Sequence, residues 1–312
     1  MRRRTIPAVA TIFLMWTSMP LGAETTSGSQ CLGDRDGDSH VTVDEVVGTV
    51  DNALNGCLFE DVTIEFQGMV GDQTFVCGSQ YENLGLSNDT IFPADFRLYL
   101  HNIRLIDDQG REVLVGLTQD GAWQLEDLVL LDFENKQTPC NLGTVQTNST
   151  VHGKVPPGNY KGIRFSLGVP FRLNHAPASS PPSPPLTLSA MFWSWQGGFK
   201  FLRIDEALDT VRVHLGSTGC VALSPTSVSH CERPNVGEIF LPKFDPATDI
   251  IAVDMKALLA DSDLQVNQVD TPPGCMSTPD DSDCAPIMQN LGVNFANGMP
   301  DPSRQTFFRI LD

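Results

Sequence analysis

The sequence has 312 residues, of which 41% are hydrophobic and 19% are charged, so it can fill at least one sizeable core. Its formal net charge of -18 argues against nucleic acid and anionic membrane surfaces as partners, because both attract basic proteins. With 26 glycines, 22 prolines and no long runs of helix-forming residues, the composition favours a β-rich protein with many short connections.

The first 23 residues have the features of a secretory signal peptide. Arginines at positions 2–4 precede an apolar stretch from Ile6 to Pro20, and Ala23 ends a small-residue cleavage motif. A membrane anchor is the alternative, but the stretch is short for a bilayer span and no later segment is apolar enough to cross. We therefore expect a periplasmic or secreted protein, monomeric, with a polar linker at 24–30.

Eight cysteines follow this leader, and an even number in an exported chain is typical of disulfide bonds. Their spacings match no zinc ribbon and no C-x-x-C motif occurs, so a thiolate metal site is disfavoured. The sequence leaves their pairing open. The expected disulfide cysteines are Cys31, Cys57, Cys77, Cys140, Cys220, Cys231, Cys275 and Cys284.

Residues 31–57 have the pattern of a calcium loop followed by a helix. The loop at 34–45 spaces its oxygen donors so that they wrap one Ca²⁺, although serine replaces the usual glycine at its sixth position. The predicted calcium ligands are Asp34, Asp36, Asp38, His40 through its carbonyl, and Glu45. Apolar residues at helical spacing follow, and a Cys31–Cys57 bridge would enclose the unit. It resembles half of a type I dockerin, and an acidic turn without metal is the alternative.

From residue 62 to residue 312 the pattern is that of one β-rich body. Apolar and polar residues alternate over 62–67, 163–167 and 211–215, which is typical of half-buried strands. Further predicted strands are 95–106, 123–133, 197–204, 236–241, 249–254 and 306–311. Because turns rather than helices separate these strands, we expect an all-β fold, an antiparallel β-sandwich or flattened barrel with long loops.

Three local features are expected within this body. A short helix is predicted over 254–261. The proline-rich stretch 177–185 should form an exposed, extended loop, because proline cannot pair inside a sheet. The apolar phase slips between Leu100 and Ile103, which predicts a β-bulge at His101 and the residue after it.

No local motif supports catalysis, since the sequence lacks nucleophile-elbow, zinc-protease, P-loop, c-type haem and blue-copper patterns. We therefore expect a protein that is not an enzyme. Histidine is informative because the chain has only six. Three of them, His101, His175 and His214, lie in or beside predicted strands. Each taken alone is more simply a hydrogen-bonded structural residue, and the sequence alone does not bring them together.

The densest aromatic cluster spans residues 191–203. In a strand, Trp193 and Trp195 share one face at a separation of about 7 Å. A core strand is the simpler interpretation of this pattern. Together with Met191, the two indoles would alternatively line a redox or metal pocket.

Four segments and the paired cysteines near the C-terminus follow the order of a known family. The segments are Ala94-Asp95-Phe96-Arg97-Leu98-Tyr99-Leu100, Leu173-Asn174-His175-Ala176, Met191-Phe192-Trp193-Ser194-Trp195-Gln196 and His214-Leu215-Gly216-Ser217-Thr218-Gly219-Cys220. They resemble the methanobactin-operon periplasmic copper-binding proteins, also called metallo-mystery-pair four-Cys-motif proteins. The resemblance covers 62–312 and leaves the dockerin-like unit as an addition.

The resemblance implies an exported protein that binds copper for acquisition, storage or trafficking. It implies His101, His175 and His214 as the copper ligands. It also implies a partner di-haem enzyme, related to bacterial cytochrome c peroxidases, that oxidises Trp193 or Trp195 to kynurenine. Neutral imidazole suits copper as a ligand. Two alternatives stay open: a calcium-stabilised cell-surface binding or adhesion module, and a secreted copper oxidase.

Overall fold

The computed structural model describes residues 42–43, 46–50, 58–176, 182–194, 196–224 and 227–311. Val43 and residues 46–50 are helical, in agreement with the helix predicted after the calcium loop. Several sequence predictions fall outside the described residues. These are the signal peptide, the linker, Trp195, the Cys31–Cys57 bridge and the calcium ligands Asp34, Asp36, Asp38, His40 and Glu45.

Short strands dominate the β body. They are β1 (Glu60–Val70), β2 (Gln73–Thr74), β3 (Tyr81–Leu84), β4 (Asp89–Ile91), β5 (Pro93–Asp107), β6 (Glu112–Leu114), β7 (Gly116–Leu117), β8 (Gln124–Leu125), β9 (Leu128–Asp132), β10 (Thr150–Val155), β11 (Tyr160–Leu167), β12 (Phe192–Ser194), β13 (Gly198–Phe199), β14 (Leu202–Glu206), β15 (Arg212–Leu215), β16 (Thr218–Ser224), β17 (Ser227–Arg233), β18 (Gly237–Leu241), β19 (Ile250–Asp254), β20 (Gly274–Cys275) and β21 (Phe308–Ile310). The helices that follow or interrupt them are α1 (Phe171–Asn174), α2 (Met255–Leu259) and α3 (Cys284–Asn290), with 3-10 turns at Ser189–Met191 and Pro302–Arg304.

Two large sheets form the sandwich, as the all-β prediction requires. The smaller sheet has the order β21-β19-β1-β10-β7, and the larger has the order β18-β11-β5-β14-β15-β20. The core lies between them, where Phe66 of the smaller sheet packs edge-on against Phe165 of the larger at 5.8 Å between ring centroids. The expectation of antiparallel pairing is wrong for two pairs, β1–β19 and β15–β20, which are parallel. Both pairs join strands far apart in the chain, and such long connections permit parallel pairing.

The predicted strands correspond to observed strands, and two of them are divided. Within 123–133, Glu126 has a φ of 56° and turns the chain into the β8–β9 hairpin. The stretch 197–204 divides into β13 and the start of β14. Alternating polarity located these stretches but did not locate the turns within them, because a single left-handed residue leaves no periodic signal.

The bulge predicted on β5 is confirmed. Arg104 lies opposite Arg164, whereas His101 lies opposite Ser166, so β5 has one residue more than β11 between these pairs. Asn102 takes a φ of 53°, a left-handed conformation that asparagine tolerates better than most residues. The bulge therefore sets the direction of the strand next to His101.

The other two local predictions hold in part. Helix α2 is shorter than predicted, and Asp254 caps it by accepting a hydrogen bond from the Lys256 amide at 3.0 Å. Residues 182–184 of the proline-rich stretch are exposed, as expected. Pro185 is buried instead, because its carbonyl accepts a hydrogen bond from the Tyr99 hydroxyl at 3.0 Å.

Candidate functional site

A row of buried polar side chains crosses four neighbouring strands of the larger sheet. His214 on β15 pairs with Arg203 on β14, Arg203 with Arg97 on β5, and Arg97 with Asp132 on β9. Direct register partners project from the same face of a sheet, so these four side chains share one face. All four are more than nine-tenths buried. We call this set the buried polar row.

Two carboxylates neutralise the arginines of the buried polar row. Asp95 accepts a hydrogen bond from Arg97 Nε at 2.8 Å and lies 3.1 Å from Arg203 Nε. Asp205 accepts a hydrogen bond from Arg203 Nε at 2.7 Å. A second donor of Arg203 reaches the carbonyl of Ala190 at 2.6 Å, so the segment before β12 covers this face of the sheet. Such pairing offsets the cost of burying charge.

The ring of His214 is held in one tautomer. Its Nε2 lies 2.6 Å from Asp205 Oδ1. Burial opposes ionisation of Asp205, but the hydrogen bonds from His214 and Arg203 and the charge of Arg203 outweigh it and lower the pKa of that carboxyl to about 2. An ionised carboxylate only accepts, so Nε2 donates and Nδ1 keeps its lone pair. Nδ1 is buried and has no hydrogen-bond partner among the described residues. A histidine that donates its other nitrogen to a carboxylate in this way is typical of metal sites.

Trp193 lies beside the ring of His214. Its ring meets the imidazole of His214 edge-on, with 6.4 Å between centroids and 83° between planes. The indole from β12 rests on Gly216, where a Cβ atom would lie only 2.7 Å from the ring. Glycine is therefore required at that position for the indole to approach. The structure thus brings together two of the residues that the sequence singled out.

His175 follows helix α1 and faces a disulfide. The amide of Asn174 donates to His175 Nε2 at 2.9 Å, and its oxygen accepts from the Phe199 backbone at 2.7 Å, which fixes the orientation of the amide. Nε2 of His175 therefore holds the lone pair and Nδ1 the proton. The same Nε2 lies 3.3 Å from the sulfur of Cys231 and 3.9 Å from that of Cys220. Burial lowers the pKa of His175, which keeps the ring neutral.

His101 lies apart from His214 in the same sheet. Its Nδ1 donates to the carbonyl of Gly168 at 2.9 Å, and burial lowers its pKa. Strand β14 separates the two histidines, and His214 is level with Arg97, four residues before His101. With about 4.8 Å between strands and 3.3 Å per residue, their Cα atoms are roughly 16 Å apart.

The described residues contain two groups of three potential metal donors within 4.8 Å of one another: His175, Cys220 and Cys231, and Cys77, Glu134 and Cys140. Neither group holds His101 or His214. A copper ion shared by His101, His175 and His214 therefore remains a prediction from the resemblance.

The disulfide prediction is confirmed for the cysteines that the structure describes. The bridges are Cys77–Cys140, Cys220–Cys231 and Cys275–Cys284. The last two close short loops of 11 and 9 residues in sequence separation. None of these six cysteines is left as a free thiol.

Sequence reasoning missed Asp205, Arg203 and Asn174. A usable signal was present for the first two, because charged residues recur every second position on both β5 and β14. Such alternation is ordinarily the solvent face of a half-buried strand. The alternation of polar and apolar residues did not show that the segment containing Ala190 covers this face of the sheet. For Asn174, its position directly before His175 was the only indication.

Comparison with known proteins covers most of the chain. The sequence model of the MbnP family matches residues 59–277. The solved structure of MbnP from Methylosinus trichosporium is 30% identical, with a TM-score of 0.72, and the match covers 81% of this chain and 98% of that chain. A comparison with curated proteins found no match. Among the described residues, no helix is long and apolar enough to cross a membrane.

Proposed function

The chain belongs to the MbnP family, and from that premise we propose that it is an exported copper-binding protein that acquires, stores or traffics copper. The observation that carries this proposal is the state of His214. Its Nε2 donates to Asp205, its Nδ1 is buried and unpartnered among the described residues, and its ring meets that of Trp193 edge-on.

The donor chemistry of the histidines fits copper. Burial lowers the pKa of His101, His175 and His214, so each imidazole is neutral near pH 7 and has a lone pair to offer. Neutral imidazole is a good ligand for copper. A buried ring nitrogen without a partner costs free energy, and a bound metal ion would remove that cost.

We assign His214 as the ligand that the geometry supports best. His101 also has one nitrogen held by a carbonyl, which leaves its Nε2 as the potential ligand atom. His101 and His175 are kept as further predicted ligands on the strength of the resemblance. In this role copper is cargo that the protein carries, and no turnover is required of the chain.

The second part of the proposal concerns the tryptophan. A partner di-haem enzyme oxidises Trp193 to kynurenine, with Trp195 as the alternative target. An intact indole offers only an N–H donor. Opening its five-membered ring exposes an aryl amine and a ketone beside His214, which gives the site oxygen and nitrogen donors that the unmodified side chain lacks. The side chain of Trp193 is half-buried, so it is within reach of the surface.

The test is to produce the full chain with and without the di-haem partner. Mass spectrometry of the peptide 191–203 and copper analysis of the purified protein are then compared. We expect kynurenine at Trp193 only with the partner, and higher copper content in the modified protein. Trp193→Phe is the matched control, and it should lose the partner-dependent gain. Equal copper in all three preparations would refute the link between the tryptophan and copper.

A further inference from the structure

The Cys220–Cys231 bridge and His175 form a compact group of soft and borderline metal donors. Their ligand atoms, the two sulfurs and Nε2 of His175, all lie within 4.8 Å of one another. The two cysteines are direct partners across the β16–β17 hairpin. In the disulfide state the sulfurs are bonded to each other, so the imidazole is the only strong ligand of the three.

We propose that opening this bridge converts the group into a Cys₂His site for Cu(I). The inference deepens the proposed function and rests on it for the identity of the metal. It shares His175 with the proposed function but does not use His214 or Trp193, so variants of His214 distinguish the failure of one from the failure of the other. Thiolate ligands select soft cations such as Cu(I), whereas the carboxylates elsewhere in this acidic chain favour hard ones.

The imidazole already stands at coordination distance from the sulfurs. A metal about 2.0 Å from nitrogen and about 2.3 Å from sulfur holds those two atoms roughly 3.6 Å apart. Nε2 of His175 lies 3.3 Å from Cys231 Sγ and 3.9 Å from Cys220 Sγ, on either side of that value. Only the two sulfurs have to separate, which rotation about their Cα–Cβ bonds would achieve.

The tautomer of His175 is also suitable. Asn174 donates to Nε2, so the lone pair is on the nitrogen that faces the sulfurs. The oxygen of Asn174 is bound to the Phe199 amide, which prevents the amide from turning over. On metal binding, Nε2 exchanges this single hydrogen bond for a coordinate bond and no proton has to leave the ring.

The position of the bridge favours its reduction over that of the Cys275–Cys284 bridge. Strands β16 and β17 form a hairpin of their own, outside both sandwich sheets, and Cys231 is only partly buried. By contrast, Cys275 and Cys284 are at most 1% exposed, whereas Cys77 of the Cys77–Cys140 bridge is partly buried like Cys231. A reductant in solution therefore has access to Cys231 and to Cys77 but not to the Cys275–Cys284 bridge, since thiol–disulfide exchange requires access to a sulfur atom. Peptide mapping of the opened bridge separates the two accessible cases.

The chemistry balances with a dithiol as the reductant. One thiolate of the dithiol attacks a sulfur of the bridge, and the second displaces the mixed disulfide. The reductant becomes a disulfide, and Cys220 and Cys231 each become a thiol. One Cu⁺ then binds two thiolates and the imidazole, and the two thiol protons are released to solvent.

The experiment measures Cu(I) binding by full-length protein in the disulfide and dithiol-reduced states, after removal of the dithiol. A chromophoric Cu(I) chelator serves as competitor, and thiol alkylation with peptide mapping verifies which bridge has opened. We expect reduction to add one tight Cu(I) equivalent per chain. The gain should be absent in the double variant Cys220→Ser and Cys231→Ser. It should weaken at least about tenfold in His175→Ala, the loss typical of a defective metal site.

Two controls separate this inference from the proposed function. His214→Ala should keep the reduction-dependent equivalent while losing copper in the disulfide state. Circular dichroism checks the folding of the serine variant, and wild-type protein alkylated at Cys220 and Cys231 gives the same test without a mutation. A reduced, mapped bridge without extra Cu(I), or a gain that survives in the serine variant, would overturn the inference.

Discussion

The two ends of the buried polar row differ in the atom that they leave without a partner. At one end the atom is Nδ1 of His214, whose ring lies beside the indole of Trp193. At the other end, Oδ2 of Asp132 lies in the interior next to Arg97. Both atoms are buried, and neither has a hydrogen-bond partner among the described residues. Geometry alone would therefore suggest a ligand at both ends.

Protonation distinguishes them. Burial lowers the pKa of His214, so the ring stays neutral and Nδ1 keeps a lone pair. Burial raises the pKa of Asp132 to about 8, so that carboxyl holds a proton at neutral pH. A neutral imidazole binds copper, whereas a protonated carboxyl does not offer the charge that metal ions prefer. An unpartnered buried atom therefore indicates a metal site only when burial leaves it as an electron-pair donor.

The largest expected effect comes from removing the nitrogen itself. His214→Ala should weaken copper binding by at least about 100-fold, beyond the roughly 10- to 100-fold typical of partners around a ligand. The matched control is His152→Ala, because both ring nitrogens of the exposed His152 already meet threonine hydroxyls at 3.1 Å. Chelator competition on both purified variants provides the measurement. Equal losses in the two variants would contradict the special role of His214.

A smaller loss is expected when the partner of His214 is changed. Asp205→Asn keeps an oxygen near Nε2 but removes the charge that fixes the tautomer, so copper affinity should fall about 10- to 100-fold. Asp132→Asn makes the same chemical change at the other end of the buried polar row and should leave copper affinity unaltered. The same competition assay measures both variants. If Asp132→Asn caused the larger loss, the contrast between the two ends would be wrong.

Asp132 should affect the free energy of unfolding rather than the affinity for copper. Burial raises the pKa of Asp132 to about 8 in the folded state, well above the usual value for an aspartate, so the folded state binds more protons between these two values. Stability should therefore fall as pH rises through this window, by up to about 1.4 kcal/mol per pH unit from this group, and then level off. Asp132→Asn has no proton to lose, and denaturant unfolding of the metal-free protein at pH 5 and pH 8 should show a flatter dependence. If the variant showed the same pH dependence of stability as the wild type, Asp132 would not be its cause.

The smallest effect is expected at His152. The double variant Thr63→Val and Thr150→Val frees both ring nitrogens of His152, but it supplies neither burial nor a carboxylate partner. We expect no additional copper in the purified protein. A new tight site there would show that a free imidazole is sufficient and that the surroundings of His214 are irrelevant.

Strand β5 shows which parts of the molecule the sequence could predict. The slip of the apolar phase correctly predicted the bulge beside His101, because the signal lay within one strand. The same strand carries Asp95 and Arg97, whose alternation indicates a solvent face, yet both are fully buried. Their burial depends on segments that are distant in the sequence. The carbonyl of Pro185 binds the hydroxyl of Tyr99, and the carbonyl of Ala190 binds the guanidinium of Arg203. Contacts of that kind are set by the tertiary fold and leave no trace in local periodicity.

The pairing of His214 with Asp205 was harder to predict than the bulge but easier than the burial of Asp95 and Arg97. His214 and Asp205 lie on adjacent strands nine positions apart, a separation that fits a hairpin, but only the observed register places the carboxylate at the ring. The short distances from His175 to Cys220 and Cys231 were harder still to predict from the sequence, because the cysteine pairing had to be known first. Histidine scarcity identified the candidates, and the structure supplied their partners.

The central claim is that copper binds to Nδ1 of His214 beside the modified tryptophan. Anomalous scattering at the copper edge, measured on crystals of copper-loaded protein made with the di-haem partner, tests it directly. The account predicts a peak about 2 Å from Nδ1 of His214, the usual distance between a metal and imidazole nitrogen, with Nε2 still bonded to Asp205. A fully occupied copper peak elsewhere, with Nδ1 of His214 left without a metal, would contradict it.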